Sequence, residues 1–117
     1  MSESAADCIF CKIVAGDIPA DVIGRNEHAI SFKDLRPQAP FHALVVPVEH
    51  HANAAASAAA DPAILGHAVA LADEVARASG NDDYRLILNT GAGAGQTVFH
   101  THVHVLGGAS GMDEHLV

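Results

Sequence analysis

The sequence has no tryptophan, one tyrosine and four phenylalanines among its 117 residues. Aromatic bulk is scarce, so a core must be built mainly from aliphatic side chains, and heavy use of alanine makes that core finely divided. Basic residues are also few. Six Lys and Arg against fourteen Asp and Glu leave a net charge of −8 with histidine neutral. Six scattered cations form no stripe for neutralising nucleic-acid phosphates, which argues against a DNA or RNA partner. No apolar run approaches the roughly 18 residues of a membrane-spanning helix, so no membrane partner is expected. Met1 to Asp7 is polar and acidic, without the basic and apolar regions of a secretory signal. Two cysteines are too few for a disulfide framework. The simplest expectation is a cytoplasmic protein.

Half of the residues are apolar, enough for a folded core. The length fits one domain over residues 1–117, with 1–7 and 109–117 expected as irregular tails. The conspicuous excess is histidine, 9 residues in 117.

Asp61 can cap a helix that opens on Pro62. Leu65, Ala68, Val69, Ala72, Val75 and Ala76 then recur at three- and four-residue steps, which predicts one long amphipathic helix over about 62–79, ended by Gly80-Asn81. The stretch Ala52 to Ala60 is alanine-rich and of low complexity. Ile9, Phe10, Ile13 and Val14 predict a short N-terminal helix within Cys8 to Ala15. Strands are expected at 28–32, 41–48, 84–89 and 100–106, with a short one near 21–24. Strands with one long helix between two of them predict an α+β domain with a mainly antiparallel sheet.

The strongest chemical signal is His100-Thr101-His102-Val103-His104. On a strand these three imidazoles share one face. Three readings compete: solvated surface histidines, a three-histidine metal site, and nucleophilic catalysis by one oriented imidazole. Just upstream, Gly91-Ala92-Gly93-Ala94-Gly95-Gln96-Thr97 is a glycine-rich loop whose amides could converge on an anion. It does not match GxxxxGK[ST], which excludes a Walker-type phosphate site. Cys8-Ile9-Phe10-Cys11 suits a metal or a redox pair, and no βαβ pattern flanks it to favour redox chemistry.

Gly95-Gln96-Thr97-Val98-Phe99-His100-Thr101-His102-Val103-His104-Val105-Leu106 resembles the signature of the histidine triad family. Cys8 to Ile13 with Ile18-Pro19-Ala20, Asp34 to His42, and Asn89-Thr90-Gly91 resemble its other motifs. The likeness runs in order from about Cys8 to Gly108, and is nearest to the Hint branch of purine nucleoside phosphoramidases. The resemblance implies a five-stranded, largely antiparallel sheet and a homodimer that contacts through long helices and neighbouring strands. It implies hydrolysis of nucleoside 5′-phosphoramidates through a nucleotidyl-histidine intermediate on His102. A dinucleoside polyphosphate hydrolase is the nearer alternative. A nucleotide- and zinc-binding interaction module with little turnover is the alternative of another class.

By the same resemblance, His104, the amides around Gly95 to Thr97, and Asn89 would bind the phosphate. Thr97, where that branch usually carries serine, would contact phosphate or leaving group. Asp34 would accept from both ribose hydroxyls, against an ordinary role as a turn residue before Arg36-Pro37. Phe10, Ile13, Ile18, Phe32 and Leu35 would form the base pocket, with Gln96 among the nucleotide-binding residues. His42 would support the triad by hydrogen bonding towards it. Cys8, Cys11, His50 and His100 would hold one structural zinc, with His51 as a less favoured substitute for His50; catalysis itself needs no cofactor. His28, His67 and His115 are left as surface or packing residues. The end of the chain lacks the tryptophan that many relatives of this branch carry.

Overall fold

The computed structural model describes residues 7–108. The expected tails, Asp7 apart, and His115 lie outside them. Helix α1 (Ile9–Ala15) is followed by strands β1 (Val22–Arg25), β2 (Ala29–Lys33) and β3 (Phe41–Pro47). Helices α2 (Ala54–Ala60) and α3 (Pro62–Ala78) come next, then β4 (Tyr84–Ile87), a 3-10 turn at Ala92–Ala94, and β5 (Val103–Gly107). The strands form one sheet in the order β1-β2-β3-β5-β4. Every neighbouring pair is antiparallel. This is the expected α+β architecture. Among the described residues, no helix is long and apolar enough to cross a membrane.

The two-residue period of the strands divides the core into two layers. Ala43 and Val45 of β3, with Val103 and Val105 of β5, pack under Ala68, Leu71, Ala72, Val75 and Ala76 of α3. The alternate residues, Ile30, Phe32, Leu44 and Val46, pack on the other face with Cys8 and Phe10. His42 and His104 belong by register to this second face. Helix α3 lies close to β1: a Cβ on Gly24 would stand 2.7 Å from Val75 Cγ1. Glycine at that position is therefore a packing requirement.

Two local results differ from the sequence expectation. The alanine-rich stretch forms α2, capped by Asn53, whose Oδ1 accepts from the Ala56 amide at 2.9 Å. Asp61 ends α2 and caps α3, accepting from the Ala63 amide at 3.0 Å. The second difference concerns the histidine-bearing strand. Strand β5 starts at Val103, so His100 and His102 precede it, although their side chains still lie on the side of Cys8, Phe10 and His104 while Thr101 turns to α2. The register gives the reason. Val45 faces Val103, so two residues on Thr101 would face Pro47, which has no N–H to extend the ladder. The free chain is held otherwise: the Thr101 amide donates to the His51 carbonyl at 2.9 Å. The Thr101 hydroxyl also meets that of Ser57, in α2, at 2.6 Å, with both side chains buried.

Candidate active site

The released segment turns His100 and His102 in different directions. His100 is fully buried, and its Nε2–H donates to the Pro47 carbonyl at 2.7 Å. That leaves the lone pair on Nδ1. Around it stand Cys8 Sγ at 3.3 Å, Cys11 Sγ at 3.5 Å and His50 Nδ1 at 3.1 Å. Cys11 Sγ is also 3.3 Å from His50 Nδ1. The four ligand atoms all lie within 4.8 Å of one another.

Tetrahedral zinc with bonds of about 2.3 Å to sulfur and about 2.05 Å to nitrogen would put S···N edges at about 3.6 Å and an N···N edge at about 3.3 Å. The observed separations sit within a few tenths of an ångström of these, so the set can hold a tetrahedral metal. The carbonyl behind His100 also fixes the tautomer that a ligand needs. Burial pushes the His100 pKa down to about 4, against the opposing pull of the Pro47 carbonyl. The ring therefore stays neutral and free to coordinate. His51 is not part of this cluster: its Nε2 lies 2.8 Å from Glu49 Oε1 at the surface.

Helix α1 joins this cluster to the second face of the sheet. Cys8 is its N-cap, accepting from the Cys11 amide at 3.4 Å. Phe10, two residues along, presents its ring edge-on to His102 at 5.1 Å between centroids and to Phe32 at 5.7 Å. Beside these rings opens a cleft of about 310 Å³, lined by Phe10, Ile13, Ile18, Phe32, Asp34, Leu35, Thr97, His102 and His104. This is the size and lining of a small-ligand site. Ile9, Pro19, Ala20, Leu44 and Val98 also line it and were not singled out from the sequence. Leu44 was within reach of that reading, because it lies two residues beyond His42 on the same strand face. Leu35 stands at the rim with 95% of its surface exposed, not in a formed apolar wall.

The two histidines in the cleft have opposite tautomers. His102 Nδ1–H donates to its neighbour His100's carbonyl at 2.7 Å. Its Nε2 therefore carries a lone pair. His104 is set from further away. The Gln38 amide donates to His42 Nδ1 at 2.9 Å, so neutral His42 must carry its proton on Nε2. That Nε2–H donates to His104 Nδ1 at 3.0 Å, which leaves the His104 proton on Nε2. Burial lowers the pKa of His102 and of His42, against weaker opposing effects of the His100 carbonyl on the first and Asp34 on the second. Burial, with His102 and His42 adding to it, brings that of His104 down to about 4. Near neutral pH the cleft thus offers one unprotonated nitrogen and one N–H donor, on rings 5.1 Å apart.

Asp34, His42 and His104 also group closely enough to suggest a metal site. The Gln38 amide argues against it. A metal on His42 Nε2 would move the proton to Nδ1, where it would face that N–H. Asp34 has its Oδ1 held by the Arg36 amide at 2.7 Å and its Oδ2 3.4 Å from His42 Nε2. It is a turn residue, and it also lines the cleft.

The glycine loop departs from the expected phosphate cradle. The amides of Gly95 and Gln96 are spent inside the loop, donating to the carbonyls of Ala92 and Gly91 at 3.1 Å each. The Gln96 side chain is buried. Its Oε1 accepts from the Gly91 amide at 2.8 Å, and its Nε2 donates to the carbonyls of Ala52 at 2.6 Å and Val98 at 3.0 Å. Asn89 donates to the Ala94 carbonyl at 2.9 Å. Gly95, Gln96 and Asn89 are therefore placed to shape the loop and do not line the cleft; only Thr97 of this group does. A loop this short closes its turn with its own amides, and Gly95 adopts the left-handed conformation (φ 92°) that the closure needs. Of the remaining histidines, His28 and His67 stack at 3.8 Å, away from both clusters.

Comparison with known proteins agrees with this geometry. The HIT domain model matches residues 15–111. An uncharacterized HIT-like protein of Synechocystis sp. is 45% identical over 105 residues, which cover 89% of this chain and 92% of that protein. A HIT family hydrolase from Clostridium thermocellum superposes with a TM-score of 0.87 at 40% identity, covering 95% of this chain and 97% of the other. One from Legionella pneumophila superposes with a TM-score of 0.84 at 40% identity, covering 89% and 95%. With matches of this extent laid over its histidine cleft, the chain belongs to the histidine triad (HIT) family.

Proposed function

We propose that the protein hydrolyses nucleoside 5′-phosphoramidates, those of adenosine or guanosine, to the nucleoside monophosphate and an amine. The observation that carries this reading is the pair of opposite tautomers in the cleft. His102 Nε2 holds a lone pair next to a His104 that carries its proton on Nε2. An attacking nitrogen beside a phosphate-binding donor is what nucleophilic catalysis at phosphorus requires. The hydrolase names of the Clostridium and Legionella relatives support the reaction class.

In this mechanism Phe10, Ile13, Ile18 and Phe32 take the base, and Asp34 accepts from the ribose hydroxyls. His102 Nε2 attacks the α-phosphorus. A bond from phosphorus to that nitrogen forms as the bond to the amine breaks. The departing amine takes up a proton that the Thr97 hydroxyl relays from solvent, and His104 Nε2–H donates to the phosphoryl oxygen. Water then attacks the same phosphorus, gives up a proton to solvent, releases the monophosphate and returns the electron pair to His102. The Cys8, Cys11, His50 and His100 set would hold zinc, which supplies structural cross-linking of α1 to the segment before β5. A homodimer is part of this reading, and β4, an edge strand whose outer side pairs with no strand among the described residues, is compatible with it.

The test compares turnover of an adenosine 5′-phosphoramidate with that of diadenosine tetraphosphate, in wild type and His102→Ala. Phosphoramidate should be the better substrate and His102→Ala should abolish its turnover. Absence of phosphoramidate turnover by wild type would overturn the reaction, and equal activity in both proteins would overturn the nucleophile. Light scattering on purified protein reports the dimer.

A further inference from the structure

The contacts around His42 connect two parts of the cleft that a substrate would touch separately. His42 Nε2–H donates to His104 Nδ1 at 3.0 Å, and Asp34 Oδ2 stands 3.4 Å from the same nitrogen, outside hydrogen-bond geometry but close enough for its charge to pull on that proton. Its other nitrogen is fixed by the Gln38 amide, so the ring has only this one proton to give. The side chain is almost wholly enclosed, at 1% exposure, and water cannot readily take the place of either group. The Asp34 carboxylate thus pulls on the one proton that His104 accepts. The strength of that pull determines how firmly His104 is held with its proton on Nε2.

We propose that His42 is a positioning residue that couples ribose recognition to phosphate activation. Ribose hydroxyls donating to Asp34 occupy its oxygens and weaken its claim on His42. The His42 proton then goes wholly to His104 Nδ1, and His104 is fixed as a donor towards the phosphoryl group. The sugar is thereby recognised in the rate as well as in binding. This rests on the nucleotide reading of the cleft. It goes beyond that reading in assigning a consequence for kcat to a contact far from the reacting atoms. No proton is transferred along the chain; each ring keeps its own, and only the strength of one hydrogen bond changes.

Loss of a whole transition-state donor costs on the order of 10²–10³ in rate. A donor that is merely less firmly held should cost less, about tenfold. With wild type, a 2′,3′-dideoxyadenosine phosphoramidate should show kcat lower by about tenfold than the ribose substrate, over and above any change in KM. In His42→Asn, whose side-chain oxygen can still accept from Gln38 but which cannot reach His104, the two substrates should share one low kcat. In His42→Gln, whose amide nitrogen reaches the Nε2 position, part of the kcat difference should return. A kcat ratio that is the same in wild type and His42→Asn would overturn the coupling.

A second measurement needs no turnover. Side-chain nitrogen NMR of the intact protein reads the state of His104 directly. Asp34→Asn keeps an oxygen for the Arg36 amide and puts a donor where Oδ2 stood, so His42 has only His104 left. The unprotonated His104 Nδ1 resonance should move upfield in this variant, as it does when an imidazole acceptor takes a stronger hydrogen bond. Adenosine should move it the same way in wild type and 2′,3′-dideoxyadenosine should not. A His104 resonance indifferent to Asp34→Asn, or a proton found on its Nδ1, would overturn the proposal. An inactive wild type would instead overturn the phosphoramidase reading, leaving the spectra to decide the coupling.

Discussion

Removing the Gln96 side chain should destabilise the protein by an amount that its three hydrogen bonds allow to be worked out. Gln96 is 3% exposed and joins three separate stretches of backbone: Gly91 at the loop entry, Ala52 before α2, and Val98 on the cleft wall. Each such bond contributes about 1 kcal/mol net, and a partner left dry after truncation costs about 1–3 kcal/mol. Gly91, Ala52 and Val98 are half-buried, so water reaches their freed groups only in part. Gln96→Ala should therefore lose about 3 kcal/mol, a large share of the roughly 5–15 kcal/mol that holds a domain of this kind together. With a urea slope of about 1–3 kcal/mol per molar, the unfolding midpoint should fall by roughly 2 M.

Gln96→Glu is the sharper variant, since it keeps the shape. Its carboxylate can still accept from Gly91, but it turns an acceptor towards the two carbonyls to which the amide donated. At neutral pH it should be at least as damaging as alanine. Against wild type at the same pH, part of the loss should return in acid, where a protonated carboxyl can donate once. Urea titrations of the three proteins at two pH values carry the test. A midpoint for Gln96→Ala within roughly 0.3 M of wild type would refute the reasoning, because it would mean that water replaces the side chain at no cost.

Further outcomes follow from other parts of the molecule. Stability should fall as pH drops from about 6.5, the ordinary histidine value, towards the His104 value of about 4. In that window the unfolded chain binds a proton that the buried folded ring refuses, and urea midpoints of His104→Gln should show a shallower slope. Metal analysis should find zinc at one ion per chain, and Cys8→Ser should lose it with a lower thermal midpoint; a metal-free wild type of full stability would remove the zinc proposal. Gly24→Val should destabilise by about 1–3 kcal/mol, because its first added carbon would lie 2.7 Å from Val75 Cγ1; denaturant titration checks it. Thr101→Val, which leaves the buried Ser57 hydroxyl without its partner at 2.6 Å, should cost about 1–3 kcal/mol in the same assay.

The sequence pattern made the sheet and the long helix readable because both carry strong periods. Asp61-Pro62 marks the start of α3 and the spacing from Ala68 to Ala76 marks its buried face. Helix α2 escaped because a run of alanines has no amphipathic period. Its one buried residue is the polar Ser57, and Asn53 was the only legible signal, as a cap. The strand limit at Val103 was not legible from β5 itself, since the alternation runs on through His100. The reason lies in its partner, where Pro47 cannot donate, and depends on a register that no local pattern states. The glycine loop misled for a related reason. Its composition shows that amides can converge, but not on what, and here the carbonyls of Gly91 and Ala92 take them.

This loop closure changes how the low count of basic residues has to be understood. On the proposed function an acidic chain has to find donors for a phosphate, and the amides of Gly95 and Gln96 are already occupied. Lys33, Arg36 and the Thr97 hydroxyl also line the cleft, and beside them stand imidazoles held in one protonation state by backbone groups behind them. A carbonyl at His100 holds the His102 proton on Nδ1, and an amide at Gln38 holds the His42 proton on Nε2 and, through it, that of His104. His100 has a double part: its ring faces the cysteines while its carbonyl orients the His102 imidazole. Disturbing the Cys8, Cys11, His50 and His100 cluster should therefore shift the His102 ring before it unfolds anything. Because the two backbone groups are of opposite kind, two chemically identical side chains become an acceptor and a donor. An imidazole on a solvated strand face would have neither constraint and would exchange freely between tautomers. His102, just before the strand, takes its constraint from the His100 carbonyl, and His104, inside β5, takes the opposite one from the Gln38 amide through His42, so the pair depends on both the strand end and the turn before β3.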